Sequence, residues 1–161
     1  MDFIIREAQL KDLNRLVELL QKLVEDQLSK DDYYKDDFKF LNGEELMTKA
    51  INSEDCGLFV VEKDGVTVGF IEVWLHAKDF YFFADDYAYI LNLFIDDPYR
   101  NREHAYFMSL NLFKAAEEWG KKRGIRYLEA DVFEHNQKIM KHLEYKGLKK
   151  YRTRLVKVLE D

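Results

Sequence analysis

The sequence predicts a single α/β domain, and three observations carry this prediction. The chain has 161 residues, of which 47% are apolar and 35% charged, and that balance is typical of one globular domain rather than of a disordered segment. Apolar patterns with a period of two alternate along the chain with patterns of period 3.6. At Leu91–Tyr106 an apolar run passes through a turn into an amphipathic helix, as expected where a buried strand leads into a helix.

The N-terminal part of the chain predicts a strand, two helices and a loop between the helices. The predicted elements are a strand at Phe3–Arg6, a helical pattern from Ala8 onward through Val24 for which Gln9 or Asp12 could be the start, a loop at Asp26–Phe40 and a helix at Gly43–Ile51. The loop mixes acidic and aromatic residues, and it is either a solvated loop or a loop on the substrate side.

The middle of the chain predicts three strands joined by hairpins. The predicted elements are a strand at Gly57–Glu62, a two-residue turn at Asp64–Gly65, a strand at Val66–His76, a loop at Ala77–Asp86 and a strand at Tyr87–Ile95. Asp96-Asp97-Pro98 ends the last of these strands, because proline cannot continue a central ladder.

The C-terminal part predicts two helices and two strands. The predicted elements are a helix at Asn101–Arg123 that Gly124 ends, a strand at Arg126–Val132, a helix at Gln137–Lys146 with Asn136 as its cap and Gly147 after it, and a strand at Tyr151–Leu159. We expect the last strand to close the sheet.

The charge of the chain favours some partners over others. The net charge is −6 and the pI is near 5.3, which argues against a nucleic-acid-binding protein because such a protein needs a basic face. An acidic chain suits a cationic or amine substrate, although acidic charge also serves solubility alone.

The cysteine and histidine content predicts a cytoplasmic protein without a metal site. Cys56 is the only cysteine, which fits a reducing compartment, and we expect a small buried thiol rather than a nucleophile. The N-terminal residues lack the pattern of a signal peptide, and no apolar run has the roughly 18 residues of a membrane span. The four histidines, His76, His104, His135 and His142, show no ligand spacing with carboxylates or with Cys56.

The strand–helix junction is a candidate phosphate site. The first turn of a helix has unpaired N–H groups and the positive end of the helix dipole, and Arg100 and Arg102 add mobile positive charge there. The alternative is an ordinary strand–helix crossover with solvated arginines.

The run D-P-Y-R-x-R-x-x-A, from Asp97 to Ala105, resembles the acetyl-coenzyme A motif of the GNAT-type N-acetyltransferases. That motif, Arg/Gln-x-x-Gly-x-Gly/Ala, is matched by Arg100 and Ala105, whereas Glu103 stands where the family has glycine. The order β-α-α-β-β-β-α-β-α-β also resembles that of the family. The resemblance implies a GNAT-like mixed, mostly antiparallel central sheet with a splayed central strand, flanked by four helices, in one domain over residues 1–161.

The resemblance also implies a site for acetyl-CoA, which is a co-substrate. Backbone groups at the end of the central strand pair with the pantetheine arm, N–H groups at the start of the following helix hold the pyrophosphate, and an asparagine touches the pantetheine. The residues at these positions are Leu93, Phe94, Ile95, Arg100, Asn101, Arg102, Glu103, His104, Ala105, Tyr106 and Asn136.

The catalytic residues are left unassigned. The family often has a tyrosine seven residues after the asparagine, as the acid that protonates the thiolate, but Leu143 stands there. Tyr145 is about 200° further round the helix and faces away, and His142 is one step of about 100° off.

The resulting expectation is an N-acetyltransferase that moves an acetyl group from acetyl-CoA to a primary amine. The alternative is a catalytically degenerate GNAT-fold protein that binds a ligand or a partner, which Glu103 and Leu143 favour. The expected acceptor is a small-molecule amine or a peptide amine, held near an acidic and aromatic group of residues: Asp31, Asp32, Tyr33, Tyr34, Asp36, Asp37, Tyr81, Phe82, Asp85 and Asp86. The neighbouring aromatics Tyr81, Phe82 and Phe83 lie either over the acceptor pocket or in a homodimer contact.

Overall fold

The computed structural model describes residues 2–31, 42–76, 87–100, 103–155 and 157, and it describes only the backbone of Glu103. The chain forms two compact units, Met1–Ala130 and Asp131–Asp161. The expectation of one domain over residues 1–161 stays a prediction.

The first unit contains a mixed five-stranded sheet. Its strands are β1 (Ile4–Glu7), β2 (Cys56–Lys63), β3 (Val66–His76), β4 (Tyr87–Ile95) and β5 (Tyr127–Ala130). The strands lie in the order β1-β2-β3-β4-β5, with antiparallel pairs throughout except for the parallel pair of β4 and β5. The predicted mixed, mostly antiparallel sheet is therefore confirmed.

Helices lie on both faces of this sheet. The helices of the first unit are α1 (Leu13–Leu28), which follows a 3₁₀ turn at Leu10–Asp12, α2 (Gly43–Asn52), the short α3 (Asp97–Arg100) and α4 (Glu103–Lys122). The sequence did not predict α3, although a proline is well tolerated in the first turn of a helix. Asn101 and Arg102 lie outside the described residues.

The core on one face of the sheet comes from the apolar stripes of α1 and α2. Leu16 and Leu19 of α1 and Met47 of α2 are almost fully buried, in a cluster that includes Phe70 of β3 and Phe94 of β4. The other face packs against α4, which contacts β2, β3 and β4. The buried stripe of α4 consists of Met108, Leu112, Phe113, Ala116 and Trp119.

The turn between β2 and β3 has the predicted geometry. Asp64 and Gly65 both have positive φ, of 53° and 78°, as a type I′ hairpin turn requires. An Asp-Gly pair suits this turn because these residues tolerate the left-handed region.

Two predicted segments differ in the structure. Asp26 lies within α1, which continues to Leu28, and not in a loop. Residues 151–155 and 157 form no strand, so the predicted strand at Tyr151–Leu159 is wrong for these residues, and its other positions lie outside the described part of the chain. Alternation alone did not produce a strand here, because a strand also needs a neighbour with which to pair.

The second unit is built on α5 (Gln137–Tyr145). Lys146 ends the helix, and Gly147 follows it with a φ of 95°. The N–H of Leu148 donates to the carbonyl of Leu143 at 3.1 Å, so the last turn is closed as the predicted glycine after the helix requires.

The close approach of β3 to β4 depends on Gly69. A Cβ at this position would lie 2.6 Å from the carbonyl oxygen of Phe94 and 2.6 Å from Cδ1 of Ile95. We expect Gly69→Ala to lower the free energy of unfolding by about 2–3 kcal/mol, because the backbone of β4 would have to move. Chemical denaturation measures this change.

The matched control is Gly120→Ala in α4. The nearest atom to a Cβ there is 3.7 Å away, and alanine favours a helix, so this variant should be as stable as the wild type or up to about 1 kcal/mol more stable. Equal stability of Gly69→Ala and the wild type would contradict the close strand contact.

Candidate functional site

Within the described part of the chain, the second half of β4 has a strand neighbour on one side only. β3 pairs with β4 along its whole length, but β5 pairs with β4 only from Tyr87 to Ile90 and ends at Ala130. Among the described residues, no strand pairs with the other side of β4 beyond Ile90. This is the splay that the sequence led us to expect.

The backbone of Leu93 and Ile95 faces this open side. The N–H of Asp96 donates to the carbonyl of Val68 on β3 at 2.8 Å, and backbone groups point to alternate sides along a strand. Leu93 and Ile95 therefore turn their N–H and C=O groups away from β3. Phe94, between them, turns its backbone towards β3, opposite Phe70. We call the backbone of Leu93 and Ile95 the open edge.

A β-bulge lies where the two halves of β4 meet. Glu72 is opposite Asn92, but the next residue of β3, Val73, is opposite Ile90, so Leu91 is the extra residue on β4. The side chain of Leu91 is exposed. Bulges redirect a strand and its side chains, and they are common next to active sites.

A buried carboxylate lies beside this bulge. Glu72 is only 4% exposed, and each of its oxygens accepts one hydrogen bond. The indole N–H of Trp74 donates to Oε1 at 2.7 Å, and the side-chain amide of Asn92 donates to Oε2 at 2.6 Å. Glu72 lies between Phe70 and Trp74 on the face of β3 that packs against α1 and α2, because side chains at every second position share a face.

Burial raises the pKa of Glu72 above its usual range, and the two hydrogen bonds reduce that rise. A carboxylate with a raised pKa beside an open strand edge is a candidate general base. Glu72 was not among the residues predicted from the sequence. The available signal was a single acidic residue inside an eleven-residue strand in which both faces are otherwise largely apolar.

Arg100 is bound to its own strand end. Its Nε donates to the carbonyl of Ile95 at 2.7 Å, and its guanidinium lies 4.2 Å from the ring centroid of Phe94. It also pairs with Asp97 at 3.0 Å and with Asp26 of α1 at 3.5 Å. Arg100 therefore ties α1 to the open edge, and its assignment to the phosphate site stays a prediction.

A second group of charges fixes the same junction. Asp96, which follows β4, is buried, and it pairs with Arg15 and with Lys22, whose Nζ is 3.0 Å from Oδ1. Burial by itself raises the pKa of Asp96, but the hydrogen bonds and charges of Lys22 and Arg15 outweigh burial and hold that pKa below its usual range. Arg15 also donates to the carbonyl of Thr67 at 2.9 Å, so α1 is joined to both β3 and the end of β4.

The predicted phosphate-binding segment is described from Glu103 onward. Glu103 is the first residue of α4, followed by the half-buried His104 and Ala105 and by the exposed Tyr106. The first N–H groups of an α-helix have no partner within the helix. The assignment of these residues, with Asn101 and Arg102, to a phosphate site stays a prediction.

Asn136 directly precedes α5 in the second unit. It is the N-cap residue, as predicted, and its carbonyl accepts from the N–H of Met140 at 3.1 Å, but its side chain makes no capping hydrogen bond. Leu143 is buried, as the core position inferred from the sequence requires. Partial burial, with the charge of Lys146, lowers the pKa of His142.

The thiol of Cys56 is buried near Glu72. Burial, together with the charge of Glu72, raises the pKa of this thiol to about 12, so it is protonated at neutral pH. Within the described residues, no three His, Cys, Asp or Glu side chains cluster so that they could hold a metal ion. None of the helices in the described ranges combines the length and the apolar character needed to cross a membrane.

Most of the predicted acceptor residues lie outside the described part of the chain. These residues are Asp32, Tyr33, Tyr34, Asp36, Asp37, Tyr81, Phe82, Asp85 and Asp86, and the same holds for Phe83 of the proposed dimer contact. The acceptor group and the dimer contact both stay predictions.

Comparison with known proteins places this geometry in a family. Residues 17–144 match the model of the Acetyltransferase (GNAT) family. The match covers well over half of the chain, and the chain therefore belongs to the GNAT family of acetyltransferases. A search of curated protein sequences finds no match to this chain.

Solved structures show the same fold at low sequence identity. A tetramutant of the BH1408 protein from Bacillus halodurans is 19% identical and aligns with a TM-score of 0.82 over 97% of this chain and 99% of that chain. A putative acetyl transferase from Pyrococcus furiosus is 18% identical, with a TM-score of 0.76 over 98% and 100%. The aminoglycoside acetyltransferase AAC(6')-Iy, bound to the bisubstrate analogue CoA-S-monomethyl-acetylneamine, is 20% identical, with a TM-score of 0.70 over 100% of both chains.

The buried ion pairs of Asp96 predict a pH-dependent contribution to stability. We expect Asp96→Asn to lower the free energy of unfolding by about 2–4 kcal/mol at pH 7, because Arg15 and Lys22 lose a buried anionic partner. The pKa of Asp96 is lowered in the folded state, so the loss should be full above about pH 4 and should vanish as the pH falls below it and the wild-type carboxylate is protonated. Urea denaturation at several pH values measures it.

Asp97→Asn is the matched control for this experiment. The side chain of Asp97 is 77% exposed, and its ion pair with Arg100 should contribute less than about 1 kcal/mol at any pH. If the two variants lost equal stability with the same pH dependence, Asp96 would not fix the junction.

Proposed function

We propose that the protein transfers an acetyl group from acetyl-CoA to a primary amine. The observation that carries this proposal is the position of the buried Glu72 beside the open edge of β4. Membership of the GNAT family supports the reaction class. The use of a CoA thioester is supported by AAC(6')-Iy, a protein of similar fold whose structures contain CoA or a CoA-containing bisubstrate analogue.

The open edge suits the amide-containing arm of coenzyme A. An extended chain with amide groups can add to a strand edge through main-chain hydrogen bonds. The N–H and C=O of Leu93 and the N–H of Ile95 are directed to this edge, whereas the C=O of Ile95 already accepts from Arg100. We therefore propose that Leu93 contributes both of its backbone groups and that Ile95 contributes its N–H.

Glu72 is the proposed general base. An amine is protonated at neutral pH and must lose a proton before its nitrogen can attack a carbonyl carbon. Each oxygen of Glu72 accepts one bond, and a carboxylate oxygen can accept a second, so the side chain can take that proton without losing Trp74 or Asn92.

The chemistry of the step balances when Glu72 takes one proton of the ammonium and the leaving thiolate takes the other. Acetyl-CoA supplies a thioester, whose acyl carbon forms a bond to the amine nitrogen while its bond to sulfur breaks. An ammonium acceptor gives up two protons as it becomes an amide. Glu72 receives the first before the attack, and the second leaves the nitrogen as the C–S bond breaks and passes to the thiolate of coenzyme A, through solvent or through the acid that the sequence leaves unassigned. Burial by the neighbouring core keeps the proton affinity of Glu72 high enough for this transfer.

The proposed phosphate site is the start of α4. The N–H groups of the first turn and the positive end of the dipole of this 20-residue helix favour an anion, and Asn101 and Arg102 precede it in the sequence. Arg100 holds the strand end through its Nε, and it remains a proposed contact for the phosphates. Asn136 remains a proposed contact for the pantetheine, and its side chain is not used as a helix cap.

The proposed acceptor is a cationic small-molecule amine or a peptide amine. The net charge of −6 favours a positively charged acceptor, and aminoglycoside acetyltransferases are among the proteins of similar fold. The test is an acetylation screen of aminoglycosides, polyamines, amino acids and peptide N-termini at two salt concentrations. The proposal is supported if a cationic acceptor is acetylated and if its rate of acetylation is lower at the higher salt concentration.

The alternative function is binding of a ligand or partner without catalysis, which Glu103 and Leu143 favour. Isothermal calorimetry with acetyl-CoA, run beside the screen, separates the two functions. Binding of acetyl-CoA without turnover of any amine would support the alternative, and the absence of binding would overturn the acetyltransferase proposal.

Replacement of the proposed base should slow the reaction without weakening binding of acetyl-CoA. We expect Glu72→Gln to lower kcat by a factor of about 10² or more, because general base catalysis typically contributes that much. The wild type should lose activity as the pH falls through the raised pKa of Glu72, since the base must be ionised, and the variant should lack this dependence. Initial rates between pH 5 and 9, at saturating acetyl-CoA, measure both effects.

Glu118→Gln is the control for this change, because Glu118 is an exposed glutamate of α4. It should keep the wild-type rate and pH profile. A Glu72→Gln variant with an unchanged rate would remove Glu72 from the mechanism.

The glutamate in place of the family's glycine should weaken binding of acetyl-CoA. A unit charge about 6 Å from a phosphate charge costs about 0.7–3 kcal/mol, so Glu103→Gly should tighten binding by a factor between about three and about a hundred. Calorimetry measures the dissociation constant. Glu118→Gly is the matched control, since it makes the same change about 22 Å further along α4. Equal affinities of Glu103→Gly and the wild type would show that this carboxylate is not near the phosphates.

A further inference from the structure

We propose that Trp74 and Asn92 are positioning residues that keep the Glu72 carboxylate ionised and oriented towards its substrate. This inference rests on the proposed function, because it assigns a role to the two side chains that contact the proposed base. It also predicts how readily Glu72 ionises, and this property can be measured without any turnover.

The two donors bind different oxygens of the Glu72 carboxylate. Trp74 donates to one oxygen at 2.7 Å and Asn92 donates to the other at 2.6 Å. The indole of Trp74 can only donate, and Asn92 presents its NH₂ group, which is also a donor, to the carboxylate. Both bonds therefore stabilise the ionised form of Glu72 and disfavour the protonated form.

The donors reach Glu72 from two different directions. Trp74 is two residues further along β3 on the same face, so its position relative to Glu72 is set by the strand itself. Asn92 is the residue opposite Glu72 on β4, directly after the bulge residue Leu91. The bond from Asn92 therefore links the proposed base to the strand whose next residue, Leu93, begins the open edge.

The surroundings of Glu72 make these donors necessary. On β2, Leu58 is opposite Glu72, and the nearby thiol of Cys56 is protonated at neutral pH. From α1 the buried stripe presents leucines, Val24 and the uncharged Gln27, and from α2 the ammonium of Lys49 lies 5.8 Å from the centroid of the Trp74 ring. The pKa of Glu72 is set by its burial and by Trp74 and Asn92. A buried carboxylate without donors takes up a proton and cannot act as a base.

Direct titration of Glu72 tests the proposal. In protein labelled with ¹³C at glutamate, the carboxyl signal of Glu72 is assigned by its absence from Glu72→Gln. We expect the pKa of Glu72 to rise in Trp74→Phe and in Asn92→Leu, with a proton affinity about tenfold higher in each, because one donor to the charged form is lost. Trp74→Phe keeps an aromatic ring at this position of the core.

The controls make the same chemical changes elsewhere in the first unit. Trp119→Phe lies on the opposite face of the sheet, where the Trp119 ring occupies the space that a Cβ at Gly57 would need. Asn111→Leu is an exposed change on α4. Both should leave the pKa of Glu72 unchanged. Circular dichroism checks that all four variants are folded.

The pH dependence of the reaction gives a second readout. In Trp74→Phe and Asn92→Leu, the acidic limb of kcat/KM should move to higher pH together with the pKa of Glu72. The rate on the high-pH plateau should recover to within about threefold of the wild type, since the base is again ionised there. A purely structural role would lower the rate by the same factor at every pH.

The outcomes separate this proposal from the proposed function. A pKa of Glu72 that is unchanged in both variants overturns the positioning role, whatever the activity. A raised pKa in variants of a protein that acetylates no amine supports the positioning role and overturns the acetyltransferase proposal. A raised pKa with an acidic limb that moves in step supports both.

Discussion

The site depends on the unequal pairing of β4. Among the residues that the structure describes, the strand has two neighbours up to Ile90 and one thereafter, because β5 ends at Ala130. A strand edge inside a sheet exposes N–H and C=O groups that need partners. Much of the surrounding structure fixes this strand end in place: Asp96 binds two cations of α1, Arg100 binds the carbonyl of Ile95, and Gly69 allows β3 to approach.

The buried carboxylate gives the open edge a chemical function. A carboxylate that is 4% exposed is destabilising unless it is hydrogen-bonded, and Glu72 has a donor on each oxygen. Burial still destabilises the ionised form enough to raise the pKa of Glu72. A raised pKa is useful to a base that must take a proton near neutral pH. Asn92 connects this base to the bulge, so the position of the base and the position of the open edge depend on the same pair of strands.

Much of the fold could be predicted from the sequence, because neighbouring residues determine most of its strands, helices and turns. The Asp64–Gly65 turn, the strand at Tyr87–Ile95 and the glycine after α5 each follow from a few neighbouring residues. The site was harder to predict, because its geometry depends on pairs that are distant in the chain. Glu72 meets Asn92 across 20 residues, and Arg100 meets Asp26 across 74. Arg100 matched a motif, but the motif could not show that its guanidinium is bound to Ile95.

The central claim is that acyl-CoA pairs with the open edge of β4, and amide chemical shifts test it most directly. In ¹⁵N-labelled protein titrated with acetyl-CoA, the amide signals of Leu93 and Ile95 should shift with one saturable curve, and both amides should exchange more slowly with solvent once the co-substrate is bound. The amide of Phe94, which faces β3, should exchange at an unchanged rate. Saturating acetyl-CoA that leaves Leu93 and Ile95 unshifted, or the absence of any binding, would contradict the account.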